Sequence, residues 1–351
     1  MRVALVFHKN PFAPPAGIDL IRLRAISAGL NKRGIETDIV APVSRRGILE
    51  GNIKVYGVER LHDSPAYDIV KTCYHDSIRF VPPAQRIVVS RIVRVVDSKF
   101  PERDQKFRSS LLECQKMISE RACAVIFNNN ENRSRWTSLY GESTETELVP
   151  TGCPSVTPVQ NKTPYSASKK ILLFLGSLAA TRMAQIMNEL AERVSDVAEI
   201  HLVGLNKTEM YGSGAALSPL IVNHGEKTEQ ETWNYIYHAD LGLAFATGSL
   251  PFDNDISKIY SYLRGGLPTL SEEPILNNKL VEGLGYGSTF GYGDMEALVS
   301  SCRRLLANPP LEKREHVMRI MARDHSWDER VGRYVKLFNK LMKRQFQRST
   351  N

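Results

Sequence analysis

Residues 158–177 of the chain read PVQNKTPYSASKKILLFLGS. The stretch Pro158–Lys170 is rich in Pro, Ser and Lys and lacks apolar periodicity, a composition typical of a linker. Ile171–Leu175 is a continuous apolar run that ends at Gly176, which predicts a buried strand. A strand that opens directly after a linker indicates that a second structural unit begins here.

The residues after Gly176 continue an alternation of helices and strands. A helical stripe follows the first strand, and later apolar runs predict further strands of one sheet. The stripe consists of Met183, Ile186, Met187, Leu190, Ala191 and Val194, and the strands are expected at Glu199–Val203, Leu241–Ala246, Thr269–Ser271 and Ser288–Phe290.

The same alternation runs through the first half of the chain. A helix is predicted from Ile18, with Gly34 at its C-terminal end, and another over Gln105–Arg121. Strands are predicted at Val3–Phe7, Ile35–Val40, Ile53–Val58, Asp68–Cys73, Ile87–Val89, Cys123–Phe127 and Glu147–Val149.

Strands that alternate with helices imply parallel pairing through crossover connections. The sequence therefore predicts an α/β fold of two Rossmann-like, doubly wound parallel-sheet domains facing a cleft. We expect an N-terminal domain over residues 1–165, a second domain over 166–326 and a C-terminal helix over 327–351.

Composition excludes several classes of protein. The 351 residues are 42% hydrophobic and 24% charged, which are ordinary globular values. No apolar run approaches the roughly 20 residues of a membrane-spanning helix. The scattered cysteines, without a CxxC pair or clustered ligands, argue against disulfides or structural zinc and favour the cytoplasm.

A formal net charge of +8 suggests an anionic partner. Nucleic acid, an acidic membrane surface and a diphosphate-bearing substrate are the candidates. No aromatic RNA-binding motif and no zinc-finger spacing supports nucleic acid, so we expect no nucleic-acid partner. A basic surface without a specific partner is the plain alternative.

Several segments in order along the chain resemble the GT-B glycosyltransferases. Residues 10–42, NPFAPPAGIDLIRLRAISAGLNKRGIETDIVAP, resemble the opening of that family, and residues 67–76, YDIVKTCYHD, its strand that presents a histidine. Residues 123–153 resemble the end of its first domain, and 169–177, KKILLFLGS, the start of its second. Residues 252–274, FDNDISKIYSYLRGGLPTLSEEP, resemble its donor-binding segment. The resemblance implies that residues 1–165 form the acceptor-side domain, that 166–326 form the nucleotide-sugar-binding domain, and that the helix over 327–351 crosses back to the first domain.

The glycines of the two βα loops suit a nucleoside diphosphate. Gly17 allows the backbone to approach a ligand, and the helix after it offers free N–H groups to phosphate oxygens. Gly176 and Ser177 repeat this arrangement in the second half. Each glycine alone could equally serve an ordinary tight turn.

Lys258 and Arg182 are the cations that we expect at the diphosphate. The resemblance assigns this position to Lys258, in the segment SKIYSYL. A fixed ammonium or guanidinium stabilises the charge that develops on a leaving diphosphate without a metal. Arg182 lies further from its loop than the family pattern places a cation, and an exposed helix arginine is the alternative.

The resemblance implies two acids that hold the donor ribose, and this sequence departs from both. The first position falls on Asp253 and the second on Ser261. A serine hydroxyl hydrogen-bonds a ribose as a neutral partner, about half as strongly as a carboxylate. Asp253 and Asp255 also form a D-x-D, a manganese signature of another glycosyltransferase fold, but Asp and Asn at a helix start are typical caps.

His75 follows a predicted strand end, and the resemblance implies that it faces the cleft. Its imidazole could hydrogen-bond the transferred sugar or act as a base on the acceptor hydroxyl. Asp76 beside it could act as that base instead. A solvent-exposed loop histidine is the structural alternative.

The C-terminal helix carries an apolar face and several cations. The apolar face suits packing onto the first domain, and a basic amphipathic helix could alternatively rest on an anionic membrane. The residues concerned are Val331, Tyr334, Val335, Phe338, Leu341 and Met342 on the apolar face, with Lys336, Lys340, Lys343 and Arg344 elsewhere.

The predicted function is metal-independent transfer of a hexose-type sugar from a nucleoside diphosphate sugar to a hydroxyl acceptor. The expected partners are that donor and a glycan, polysaccharide or lipid-linked acceptor, with no other cofactor. We expect a cytoplasmic protein, with peripheral contact at the inner membrane face as a further option. A sugar-nucleotide epimerase and a non-catalytic GT-B-like binding subunit are the alternatives.

Overall fold

The computed structural model describes residues 1–13, 17–63, 67–97, 105–142, 144–158, 162–166, 168–178, 180–207, 215–250 and 256–349. Two compact units divide the chain: Met1–Thr151 with Trp327–Asn351, and Gly152–Ser326. The chain passes from the first unit to the second after Thr151, because the residues that follow Thr151 pair with the end of the second unit. There the Cys153 amide donates to the His325 carbonyl at 3.0 Å.

The first unit contains strands β1–β8 and helices α1–α3, and helix α10 returns to it. Its strands are β1 (Arg2–Val6), β2 (Glu36–Val40), β3 (Gly47–Leu49), β4 (Ile53–Tyr56), β5 (Ile69–Thr72), β6 (Val88–Ile92), β7 (Ala124–Phe127) and β8 (Glu145–Leu148). Its helices are α1 (Gly17–Lys32), α2 (Gln105–Arg121), α3 (Asn130–Tyr140) and α10 (Trp327–Ser349), with 3-10 helices at Val58–His62 and His75–Phe80.

The second unit contains β9–β14 and α4–α9. Its strands are β9 (Lys170–Leu175), β10 (Ala198–Val203), β11 (Ile221–Asn223), β12 (Leu241–Ala244), β13 (Thr269–Glu272) and β14 (Gly287–Phe290). Its helices are α4 (Thr181–Val194), α5 (Glu229–His238), α6 (Ser257–Arg264), α7 (Asn278–Leu284), α8 (Met295–Ala307) and α9 (Arg314–Asp324), with a 3-10 helix at Leu311–Lys313.

Both sheets are doubly wound. The described part of the first sheet has the order β3-β4-β2-β1-β5-β6-β7-β8, and that of the second β11-β10-β9-β12-β13-β14. All the described pairings are parallel except that of β3 with β4. The predicted α/β class with two Rossmann-like parallel sheets is confirmed. The strand order reverses between β1 and β5 in the first sheet and between β9 and β12 in the second. We call these two places the switch points of the sheets, and ligands of such sheets bind there, beyond the carboxyl ends of the strands.

Helix α10 closes the core of the first unit. Its side chains Val331, Tyr334, Leu337, Phe338 and Leu341 are buried in the same cluster as the inner face of α1. A side chain at Gly29 of α1 would place its Cβ 2.6 Å from Cγ2 of Val331, so the glycine permits the close approach of the helices. The apolar face of α10 is therefore buried against the core of the first unit.

In the part of the chain that the structure describes, no helix is long and apolar enough to span a membrane.

Candidate functional site

The loop after β9 is shaped by two glycines. Gly176 has φ +101°, a conformation that favours glycine. Gly204, which follows β10, has φ +150°, and a Cβ there would lie 2.2 Å from the Gly176 carbonyl oxygen. The two loops therefore pass each other backbone to backbone, directly beside the switch point of the second sheet. Ser177 is exposed at this edge.

Lys258 reaches this loop from the first turn of α6. A Cβ at Gly176 would lie 4.0 Å from its Cε, and its Nζ lies 3.4 Å from the centre of the Phe174 ring. Burial lowers the pKa of Lys258 to about 7. Among the described residues no carboxylate forms an ion pair with Lys258, so its ammonium is a desolvated cation available to an anion.

The hydroxyl of Tyr262 fixes the strand that leads into the loop. It accepts a hydrogen bond from the Leu175 amide at 2.8 Å. It also lies 3.1 Å from the Leu173 carbonyl and 3.2 Å from that of Leu243. The tyrosine of the segment SYLRGGLP thus joins β9 to β12 at the switch point. Ser261, the residue before it, is partly buried on α6.

Arg182, in the first turn of α4, is held by Glu272. The two groups form a two-pronged ion pair, with Nη1 3.0 Å from Oε2 and a closer contact between Nη2 and Oε1. The guanidinium also stacks 3.9 Å above the Tyr292 ring. Most of its charge is therefore already balanced within the unit.

Glu272 has no exposed surface. Besides Arg182, it accepts hydrogen bonds from the Ala246 amide at 2.9 Å and the Gly293 amide at 2.8 Å. It therefore joins the end of β13 to residues that follow β12 and β14 at the carboxyl edge of the sheet. Sequence reasoning missed this residue, and its only sequence signal is a carboxylate at the end of a predicted buried strand.

Asp253 and Asp255 lie outside the described residues. Next to them, the Ile256 amide donates to Asn277 Oδ1 at 3.0 Å and the Ile256 carbonyl accepts from Asn277 Nδ2 at 2.6 Å. Within the described ranges, no group of three or more His, Cys, Asp and Glu side chains is placed to hold a metal ion.

In the first unit, Gly17 and His75 lie at the switch point between β1 and β5. Gly17 is the first residue of α1 and has φ +51°. His75 begins the 3-10 helix after β5, and its side chain is only 1% exposed. Burial lowers the pKa of His75 to about 4, so its imidazole is neutral at pH 7.

Asp76 is the more accessible of the two predicted catalytic residues, with 35% of its side chain exposed. Its Oδ1 lies 3.2 Å from His75 Nε2. The Tyr74 ring packs between His75, at 4.0 Å between ring centres, and His8, at 4.7 Å. His8 and Tyr74 were not predicted as site residues from the sequence, although each follows a strand that borders the switch point.

A second histidine pair lies in the other unit. His201 Nδ1 is 2.8 Å from His224 Nε2, and the Tyr235 hydroxyl lies 3.4 Å from His224 Nδ1. Burial lowers the pKa of His201, and that of His224 to about 4. Both rings pack against Tyr165, so they belong to the packing of the unit.

Comparison with known proteins gives structures and no sequence relatives. No protein-family model matches the chain, and no curated protein does. Among solved structures, sucrose-phosphate synthase from Thermosynechococcus elongatus is 15% identical, with a TM-score of 0.75 over 97% of this chain and 99% of that one. HepE from Anabaena, in complex with UDP-glucose, is 13% identical, with a TM-score of 0.75 over 97% and 100%.

WaaG, a glycosyltransferase involved in lipopolysaccharide biosynthesis, is 14% identical, with a TM-score of 0.70 over 93% of this chain and 97% of that one. Identities this low define the fold alone. The chain has the GT-B fold, as the resemblance of its sequence segments implied.

Proposed function

We propose that the protein is a glycosyltransferase that moves a sugar from a nucleoside diphosphate sugar to a hydroxyl acceptor. The observation that carries this proposal is the partly buried Lys258 ammonium beside the Gly176 loop, with which no carboxylate of the described residues forms an ion pair. A cation in a water-poor environment interacts more strongly with an anion than an exposed one does. The HepE structures contain UDP-glucose, UDP, and UDP with glucose, which supports a nucleotide-sugar donor.

The second unit supplies the groups that bind the donor. Lys258 binds the diphosphate, and the N-terminus of α4, near Gly176 and Ser177, offers further N–H groups to its oxygens. Arg182 contributes less charge than Lys258 because Glu272 balances it. Ser261 and Asp253 hold the ribose hydroxyls in this proposal.

The reaction joins the acceptor oxygen to the anomeric carbon of the sugar and breaks the bond from that carbon to the diphosphate. Lys258 stabilises the negative charge that appears on the departing diphosphate. The acceptor hydroxyl loses its proton to a carboxylate or imidazole of the first unit. Asp76 is the better candidate because it is the more accessible of the two, while buried His75 positions it. With the charge supplied by side chains, the reaction needs no metal.

The acceptor in this proposal is a glycan or a lipid-linked glycan. A lipid-linked acceptor would bring the protein to a membrane surface. Contact would then be made by exposed cations, since the apolar face of α10 is buried in the first unit.

A thermal-shift screen of nucleoside diphosphates tests the donor site first. A ligand at a hundredfold its Kd stabilises the protein by about 2.7 kcal/mol. Incubation of the matching nucleotide sugar with and without hydroxyl acceptors then identifies the reaction. Transfer supports the proposal, an epimer formed without acceptor indicates an epimerase, and binding without any product indicates a non-catalytic subunit.

A further inference from the structure

The Asp76 carboxylate receives a hydrogen bond from helix α2. Cys114 Sγ donates to Asp76 Oδ1 at 3.6 Å, a weak S–H···O bond. His75 Nε2 lies 3.2 Å from the same oxygen, yet neither ring nitrogen of His75 makes a hydrogen bond to a described residue, so His75 borders the carboxylate by contact only. In the part of the chain that the structure describes, the thiol is therefore the one hydrogen-bond donor to Asp76.

Packing fixes the thiol beside this carboxylate. Cys114 has no exposed surface and lies in the same apolar cluster as Ile78 and Ile118. Ile78 belongs to the 3-10 helix His75–Phe80 that also carries Asp76, and Ile118 lies one turn further along α2. Because protein interiors are closely packed, a displacement of the sulfur would disturb the interface between α2 and the 3-10 helix.

A surface contact ties the two helices together at the same place. Arg79 of the 3-10 helix pairs with Glu113 of α2, with Nη2 2.9 Å from Oε2, and also reaches Ser110 Oγ at 3.2 Å. Glu113 directly precedes Cys114 in the chain. The pair is exposed, so it contributes little free energy, but it engages the guanidinium of Arg79 away from Asp76.

The thiol is the donor of this bond at neutral pH. Burial raises the pKa of Cys114 to about 11, with Arg79 opposing that rise and the charge of Asp76 adding to it. A thiol with this pKa keeps its proton at pH 7, and an S–H group is a weak donor. The bond therefore orients the carboxylate but holds it less tightly than an ammonium or guanidinium would, so that the group can still accept a proton.

We propose that Cys114 is a positioning residue for the Asp76 base. Its thiol holds Oδ1, and Oδ2 of the same carboxylate, which accepts no hydrogen bond from a described residue, takes the proton of the acceptor hydroxyl. That proton passes to Oδ2 as the acceptor oxygen bonds to the anomeric carbon, and the thiol keeps its own proton throughout. This inference rests on the proposed transferase function, which assigns the base to Asp76.

Steady-state transfer kinetics test the role of the thiol. Cys114→Ala should lower kcat about three- to tenfold, the loss expected of one weak hydrogen bond, and leave the KM for the donor unchanged. Cys114→Ser keeps a donor at this position and should restore most of the activity. If the side chain served packing alone, the apolar alanine would be tolerated at least as well as serine.

A second buried cysteine supplies the matched control. Cys302 lies on α8 of the second unit and has no exposed surface, so Cys302→Ala makes the same change in a comparable environment and should turn over normally. Normal kcat in Cys114→Ala, or a serine variant no better than the alanine variant, would overturn the proposal.

A double-mutant cycle shows whether the thiol acts through Asp76. In the Asp76→Asn background the carboxylate is absent, so Cys114→Ala should cause no further loss of kcat. An equal fall in both backgrounds would mean that Cys114 affects turnover by another route, and the positioning role would be wrong. Normal turnover by Asp76→Asn alone would instead locate the error in the base assignment of the proposed function, and the positioning role would fail with it.

The Raman S–H stretch tests the hydrogen bond without any turnover. The band of Cys114 is identified by its loss in Cys114→Ser. Because donation to a carboxylate lowers the frequency of an S–H stretch, the band should rise in Asp76→Ala and stay in place in Asp63→Ala, at an exposed aspartate. A band that Asp76→Ala leaves unchanged would overturn the proposal. A band that moves in a protein that transfers sugar to no acceptor would contradict the transferase function, and with it the catalytic purpose of the bond.

Discussion

The ammonium of Lys258 lies 3.4 Å from the centre of the Phe174 ring. Phe174 belongs to β9 and has no exposed surface, so the ring replaces water on one side of the cation. A cation over an aromatic ring is attracted to it, but the ring does not neutralise its charge. The contact therefore keeps Lys258 beside Gly176 and leaves its charge available to a diphosphate.

Replacing Lys258 should weaken donor binding. Lys258→Met removes a charge-assisted contact, so the affinity for a nucleoside diphosphate should fall about ten- to a hundredfold by calorimetry. Lys279→Met, at an exposed lysine of α7, is the control and should bind normally. Normal binding by Lys258→Met would show that the diphosphate lies elsewhere.

Donor binding should take up a proton above neutral pH. With a pKa of about 7, Lys258 is largely neutral at pH 8 in the free protein, and a bound diphosphate would raise that pKa. The Kd for a nucleotide sugar should be constant below about pH 6 and increase between pH 7 and 9. Calorimetry in buffers of different ionisation enthalpy measures the uptake. An equal Kd at pH 6 and 9 would refute this coupling, and Lys258→Met should abolish it.

The first unit should affect turnover more than donor binding. Asp76→Asn and His75→Ala should leave nucleotide affinity nearly unchanged and lower kcat, for Asp76 by about a hundredfold or more if it is the base. Because the pKa of His75 is about 4, the rate should show no His75 titration between pH 6 and 8. Steady-state transfer assays measure both effects, with Asp63→Asn as an exposed control. Unchanged kcat in either variant would remove that residue from the proposed reaction.

Glu272 should be a major contributor to the stability of the second unit. Glu272→Ala leaves the Arg182 guanidinium and two backbone amides without their acceptor, and breaking such a buried pair costs about 3–5 kcal/mol. Glu189→Ala breaks only an exposed pair with Arg193 on the same helix and should cost less than about 1 kcal/mol. Urea unfolding compares the two. Equal losses would mean that the Arg182–Glu272 pair is energetically unimportant.

Transfer activity should survive chelation by EDTA. Lys258 and the helix N-termini supply the positive charge that a metal would otherwise provide. The assay compares turnover before and after EDTA treatment, with added manganese as the control. Complete loss of activity that manganese restores would assign Asp253 and Asp255 to a metal site.

Most of the strands and several of the helices could be predicted from the sequence because apolar periodicity is a local property. Ile171–Leu175 and the stripe from Met183 to Val194 correspond to β9 and α4 within a residue or two. The short strands β3 and β11 were not predicted. Each is three residues long and partly exposed, so neither carries a clear alternation of apolar and polar residues.

The residues of the candidate site could be named from the sequence, but their electrostatic state could not. Arg182 and Lys258 were both expected at the diphosphate. Within the described residues the tertiary structure pairs only Arg182 with a carboxylate, that of Glu272, 90 positions further along the chain. His75 was expected at a strand end, and its burial and neutrality follow from the packing around it. Sequence by itself determined which groups follow the strand ends, because strand periodicity is local. Burial, ion pairing and pKa depend on side chains remote in the chain, so only the tertiary structure decided which of those groups keep a free charge.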